Sequence, residues 1–315
     1  PMETVQDVTN ALHGAMEQFG GYRFMGRNYV ATGDFCGDIA NASASTGHFL
    51  NMSGWTFDEN SGELEVMWQS GYVIIVACTR GIEGANHVMA KVSSDEEKQT
   101  LSNCLQQFYG LKAATYFYLS NIFCKAYSAE HAPGLGLVLV KDEIIKPEQK
   151  VERSTLEDTY KYILELINKA YTYDSKETSP FFINPINLKA IEAKVRLYMR
   201  DYAGALAAAD AVVTSDPYKK VNLEEKDYLA MWQTVAAVPE DVFTIVKSDN
   251  DNLSANALNT LYGSYKGTID LTFIEPLFAA GDYRAKLFDA KESRTLKYEG
   301  TPSAKAVSNI HVIRL

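Results

Sequence analysis

A helical hairpin between Asn184-Pro185 and Asp216-Pro217 constrains this chain more than any other stretch. Leu188, Ile191, Val195 and Tyr198 recur at i, i+3, i+7 and i+10, which places them on one face of an α-helix. Met199-Arg200-Asp201-Tyr202 reads as the turn, and Ala205, Leu206, Ala209, Val212 and Val213 are expected to share a face of the second arm. Asp216-Pro217 ends that arm, because the residue before a proline is pushed out of the α region. Ala205, Ala207, Ala208, Ala209 and Ala211 keep the arm slim enough to approach a neighbour closely. Two helices leave an apolar face open, so further helices must flank them.

The hairpin resembles a tetratricopeptide repeat. Tyr202, Ala205, Ala209 and Pro217 stand where the second helix of that repeat opens, packs and ends, and Ala193 stands where its first helix usually has Gly. On this reading the hairpin is scaffold, with no ligand role of its own.

The chain has 315 residues, more than a usual single domain, but an α-solenoid can run this long as one unit. The net charge of −10 and the pI near 5.1 exclude nucleic acid as a natural partner, since phosphate binding needs a cationic face. Tyrosine is abundant, with 19 residues beside 14 Phe and 3 Trp. A flat apolar ring with a polar tip suits sugar or peptide recognition, and it equally fills seams between helices, the reading that suits most of them. Cys36, Cys78, Cys104 and Cys124 form no CxxC pair. Cys104 and Cys124 lie on one predicted helix, roughly 30 Å apart at the usual rise, so they cannot pair. Buried free thiols are expected, with neither a disulfide framework nor a zinc site. No apolar run has the length of a membrane-spanning helix, and Pro1-Met2 starts the chain without a signal peptide, as a trimmed sequence would.

Along the chain, residues 3–19 predict a helix ended by Gly20-Gly21. Residues 33–62, rich in Gly, Ser, Asn and Asp, predict a long loop that carries Phe49, Trp55 and Phe57. Residues 64–80 predict a helix, although Val73-Ile74-Ile75-Val76 alone could be a strand. Residues 95–124 predict the longest helix. One stripe runs through Leu101, Leu105, Phe108, Leu111, Thr115 and Leu119, and a second through Tyr109, Tyr116 and Phe123. Two stripes mean packing on two sides. Residues 133–141 read as extended. Ser154-Thr155-Leu156-Glu157 reads as a capping box that opens a helix with Leu156, Tyr160, Ile163 and Ile167 inward. A short helix at 224–234 bears Tyr228, Met231 and Trp232, Asp241 to Lys247 reads as a strand, and 248–268 is a polar loop with Tyr262 and Tyr265.

In this order the pieces resemble the SusD/RagB family of outer-membrane nutrient-binding lipoproteins. The matching stretches are Trp68, Tyr72 and Ile75 with Gly84-Ala85-Asn86; Leu111 to Leu119; Gly136 to Val140; Arg153 to Tyr160; and Asn187 to Val213. Ile310 to Leu315 resembles the opening of a late family helix that would continue further, so either the C-terminal part of the family fold is missing or this is a short member, and the family's lipid-bearing Cys would lie upstream. The resemblance implies a mainly α protein: one tetratricopeptide-like α-α superhelix over 1–315 with long irregular loops and a few short strands. Its helical-repeat core would span about 95–217, and its loop-rich parts 33–62 and 235–315. It also implies a lipid-anchored receptor facing the cell exterior, without catalysis. Such a receptor hands oligo- or polysaccharide, or in some members peptide, to a SusC-like TonB-dependent barrel.

No Walker loop, Gly-x-Ser-x-Gly elbow or HExxH occurs. The candidate ligand residues are aromatics in irregular segments: Trp55, Trp232, Tyr262 and Tyr265. A sugar's apolar face stacks on such rings while Asn and Asp take its hydroxyls. The sequence also offers two rival chemistries. Asp34 and Asp38 could form a carboxylate pair for glycoside hydrolysis, against their reading as turn and cap residues. Asp249-Asn250-Asp251-Asn252 begins like a calcium loop, but Leu253 breaks the pattern, so no cofactor is expected.

Overall fold

A computed structural model of the chain describes residues 2–37, 39–141, 145–146, 148–234, 236–248, 250–298 and 310–315. Its spine is a pair of long helices, α4 (Gly62–Met89) and α5 (Asp95–Phe123). The first expected stripe of α5 turns inward, with Leu101, Phe108, Leu111 and Leu119 buried; on the second, Tyr116 is buried while Tyr109 and Phe123 are half-buried. Close approach of the pair depends on glycine. A methyl on Gly71 would sit 2.6 Å from Leu119 Cδ1, and one on Gly81 would enter the Phe108 ring. The run Val73 to Val76, ambiguous between strand and helix, is helical, and α4 extends past both ends of the expected span.

Helix α1 (Val5–Phe19) lies on α4 and α5, capped by Thr4, whose Oγ1 accepts from Asp7 N at 3.1 Å. On the other side of α5 come α6 (Leu156–Tyr171) and the hairpin α7 (Pro185–Tyr198) and α8 (Tyr202–Val213). The cap of α6 is displaced by one residue from the expected box. Thr155 is the N-cap, and its Oγ1 accepts from Asp158 N at 3.0 Å. Asn184 caps α7, accepting from the backbone N–H groups of Ile186 and Asn187, with Pro185 in the first turn where no N–H is needed.

The hairpin packs differently from its expected pattern at two points. Leu188, Ile191 and Val195 are buried as expected, but Tyr198 is exposed. On α8 the buried ridge is Ala205, Ala208 and Val212, whereas Leu206, 62% exposed, and Val213 point outward. The alanines pass closer to α7 than leucine could, so the helix turns its small face inward. A charged network fastens the hairpin to α6. Glu192 accepts from Tyr171 Oη (2.6 Å), Lys189 Nζ (2.9 Å) and Arg196 Nε (2.8 Å), and Arg196 Nη1 reaches Asp201 Oδ2 at 2.7 Å. Burial alone would raise the Glu192 carboxyl, but these donors outweigh it and hold the group below the usual range.

Tyrosine hydroxyls clamp the extended segment 133–141. Tyr72 Oη accepts from Val138 N (2.9 Å) and donates to Val138 O (3.0 Å). Tyr116 Oη accepts from Val140 N at 2.7 Å, and Tyr162 Oη donates to Val140 O at 2.9 Å. Arg153 closes the clamp, donating to Gly136 O and Phe123 O at 2.6 Å each. Backbone polar groups that would otherwise be buried without partners are thereby satisfied.

The short helices α2 (Asn28–Cys36), α3 (Leu50–Ser53), α9 (Glu225–Ala230), α10 (Leu258–Tyr262) and α11 (Leu271–Ile274) are joined by irregular chain. The expected loop 33–62 is thus partly helical. Strand β1 (Ala40–Asn41) pairs antiparallel with β3 (Thr268–Ile269), which brings the two loop-rich regions together over a second small core of Phe35, Phe49, Met52, Leu261 and Tyr262. Strand β2 (Asp241–Ile245) forms as expected, and β4 (Phe288–Asp289) pairs with β5 (Arg294–Thr295). Residues Ile310–Arg314, expected to open a helix, instead form β6, antiparallel to β2. Ile310, Val312 and Ile313 are β-branched and suit a strand. The pairing is also pinned by His311 Nδ1, 2.7 Å from Asp241 Oδ1.

Candidate functional site

The segment after β1 is built to push aromatic rings outward. Phe49 is buried and stacks on Phe35, with ring centroids 5.3 Å apart, and its N–H donates to Glu63 Oε1 at 2.9 Å. Arg27, itself buried, places its guanidinium 5.7 Å from the Phe49 ring centre. Met52 is buried too, taking a contact from Thr32 Oγ1 at 3.7 Å. Phe49 caps the start of α3 and Met52 lies within it, so both pin the short helix to the core. Phe49 at φ 58° and Trp55 at φ 53° are both left-handed, a conformation bulky residues rarely adopt. The chain then leaves the surface. Trp55 is 67% exposed and Phe57 40%, with ring centroids 6.0 Å apart, and Asp58, Glu59 and Asn60 beside them are exposed as well.

The other candidate rings are placed differently. Tyr265 is half-buried and meets the base of this loop, its ring 6.0 Å from that of His48. Tyr262, expected as a ligand ring, is only 2% exposed. It lies between Phe35 and Tyr298, nearly parallel to both at 5.8 Å, and its hydroxyl donates to Asp34 Oδ2. It supports the loop from beneath. Trp232 is 6% exposed, with the Arg314 guanidinium 3.7 Å from its ring centre and Lys297 on it at 4.7 Å. It packs with Met231 and Leu287 in a separate small cluster, so it offers no free face. The sequence pattern could not separate these rings from Trp55, because the groups that cover them are distant in the chain.

Asp34 is half-buried, and its Oδ2 accepts from the Tyr262 hydroxyl. Burial raises its carboxyl above the usual range, against the lowering effects of Tyr262 and Lys297. Its expected partner, Asp38, lies outside the described residues. In the stretch that begins like a calcium loop, Asp249 also lies outside them, and both oxygens of Asp251 sit 3.2 Å from Lys247 Nζ.

The SusD-like family model, described as starch-binding and associating with the outer membrane, matches residues 4–199, more than half of the chain. This chain belongs to that family. A SusD-superfamily structure from Bacteroides vulgatus superimposes with a TM-score of 0.86 at 25% identity, and one from Bacteroides thetaiotaomicron with 0.87 at 18%. Each alignment covers 99% of this chain and 73% of the other. A laminarin-binding SusD-like protein superimposes with a TM-score of 0.73 at 15% identity, over 99% of this chain and 78% of its own. No curated protein sequence is a significant match.

The SusD-like motifs coincide with the clamp around 133–141. Trp68, from the first motif, packs its ring 4.9 Å from Tyr72 and 5.0 Å from Phe123, under the Arg153 guanidinium. These motifs therefore lie in the frame, while Trp55, within the matched residues 4–199, stands on a segment the motifs do not include. The SusD-like frame also leaves an apolar strip on its hairpin, where Leu197, Tyr198, Tyr202, Leu206 and Val213 are all exposed. Among the described residues no helix is long and apolar enough to cross a membrane.

Proposed function

We propose that this SusD-like chain is a non-catalytic, lipid-anchored receptor on the outer face of the outer membrane. It captures an oligo- or polysaccharide on the Trp55–Phe57 ledge and passes it to a SusC-like TonB-dependent barrel. The observation that carries this reading is the exposed, left-handed Trp55 that follows directly on two buried anchors, Phe49 and Met52. Backbone strain and an exposed ring both work against stability, and a ligand that stacks on the ring gives that arrangement a use. Asp58, Glu59 and Asn60 supply acceptors and donors for sugar hydroxyls at the edge of the ring pair. The binding of laminarin by one relative and the family's starch-binding description support a glucan-like ligand. The exposed strip from Leu197 to Val213 fits the partner barrel, since apolar patches on a folded surface mark interaction sites.

Calorimetric titration of the intact chain against a panel of neutral oligosaccharides and unrelated peptides tests the reading. Binding of a saccharide that weakens in Trp55→Ala is the expected result. Binding of peptides alone would replace the saccharide with a peptide ligand.

A further inference from the structure

A cleft of about 510 Å³ opens between the C-terminal half of α4 and the facing sides of α5 and α6. Its near edge, Thr79 to Asn86, lies roughly 30 Å along α4 from the helix start beside the Trp55 loop, at 1.5 Å per residue. The floor is Lys112, only 1% exposed, whose Nζ donates to Lys141 O at 3.0 Å. Lys112 and Lys141 approach the Tyr162 ring at 5.7 and 5.9 Å. Lys141 and Lys169 stand exposed at the rim, together with Glu83, Asn86 and Glu165. One half-buried ring, Tyr109, completes the wall, backed by Tyr173 at 5.7 Å and 16°.

Glu157 and Lys161 on α6 form an i,i+4 ion pair at 2.8 Å. Glu165 and Lys169 have the same spacing on the same helix, make no such bridge among the described residues, and both line the cleft. An occupant must present an anion to the ammonium groups and hydroxyl donors to the two carboxylates. A flat apolar face would suit Tyr109. Sulfate offers no donors, phosphate only one or two and no apolar face, and a neutral sugar offers no charge. A carboxylated sugar carries all three features.

We propose that this cleft is a second subsite, selective for a uronic-acid unit of a glycan. The choice of ligand class rests on the saccharide reading above; the site itself is separate from Trp55. Lys141 and Lys169 hold the carboxylate, and Glu83, Glu165 and Asn86 take ring hydroxyls.

The test is calorimetry of the intact chain with trigalacturonate, with neutral glucan oligosaccharides and with hexaglutamate, at low and high salt. Wild type is compared with Lys141→Ala/Lys169→Ala, Lys141→Arg/Lys169→Arg and Trp55→Ala. Trigalacturonate should bind wild type, and its affinity should fall as salt screens the charges. It should weaken by roughly tenfold or more in the alanine pair, as loss of two ion contacts implies, and be retained in the arginine pair. Trp55→Ala should leave it unchanged. Both lysines are exposed, so the melting temperature of the variants should match wild type. Absence of trigalacturonate binding, full retention in the alanine pair, or equally tight hexaglutamate binding would each overturn the subsite. Failure of the Trp55 ledge would register separately, as neutral-glucan binding that is absent or indifferent to Trp55→Ala.

Discussion

Trp55 combines a left-handed backbone with an exposed ring, and holding a bulky residue there costs about 1–3 kcal/mol. Trp55→Gly should therefore leave the melting temperature unchanged or raise it, because glycine adopts positive φ without strain. The same change should weaken saccharide binding by roughly tenfold, equivalent to about 1.4 kcal/mol of stacking. Parallel thermal melts and titrations check both halves. Asp34 allows a second prediction. Its folded carboxyl keeps its proton to higher pH than it would in the unfolded chain, so over that interval the native state binds more protons and stability falls as pH rises. Asp34→Asn removes that titration, and urea melts should show the variant gaining on wild type as pH climbs from acid toward neutral. Neither residue's setting could be read locally. Tyr262 and Trp232 share the composition of their surroundings with Trp55, yet Tyr262 is buried by Phe35, Asp34 and Tyr298, and Trp232 by Arg314 and Lys297, from remote parts of the chain.

At the scale of elements, Glu192 links α6, α7 and, through Arg196, the turn before α8. Its carboxyl is held below the usual range, so the stability it supplies is present above the unfolded value and lost as pH falls through the folded one. Glu192→Gln should cost about 1–3 kcal/mol near neutral pH, and the difference from wild type should shrink in acid. Chemical denaturation across that pH range measures it. A methyl at Gly136 would collide with Thr155 backbone, so Gly136→Ala should displace the clamped segment and destabilise more than Gly71→Ala, where the flexible end of Leu119 can yield. The long helices were legible because their stripes repeat over many turns: Leu101 to Leu119 on α5 announces itself. Ile310 to Leu315 was not. Its six residues suit several structures, and only the distant β2, with Asp241 against His311, selects the strand. The outward turn of Leu206 was hidden for a related reason: on so alanine-rich a helix, hydrophobicity does not say which face a neighbour covers.

For the whole molecule, a rigid helical frame presents a loop ledge and an apolar hairpin strip. Leu206→Glu changes a 62% exposed side chain, so the fold should persist with a stability shift within about 0.5 kcal/mol. Co-purification with the proposed SusC-like barrel should nonetheless be lost, because a charge would be buried at the contact without a counterion. The most direct measurement is the affinity of the intact chain for its best neutral saccharide before and after Trp55→Ala, with melting temperatures recorded alongside. A loss of roughly tenfold or more at unchanged melting temperature is the predicted result. Equal affinity in the two proteins, or no saccharide bound by either, would contradict it.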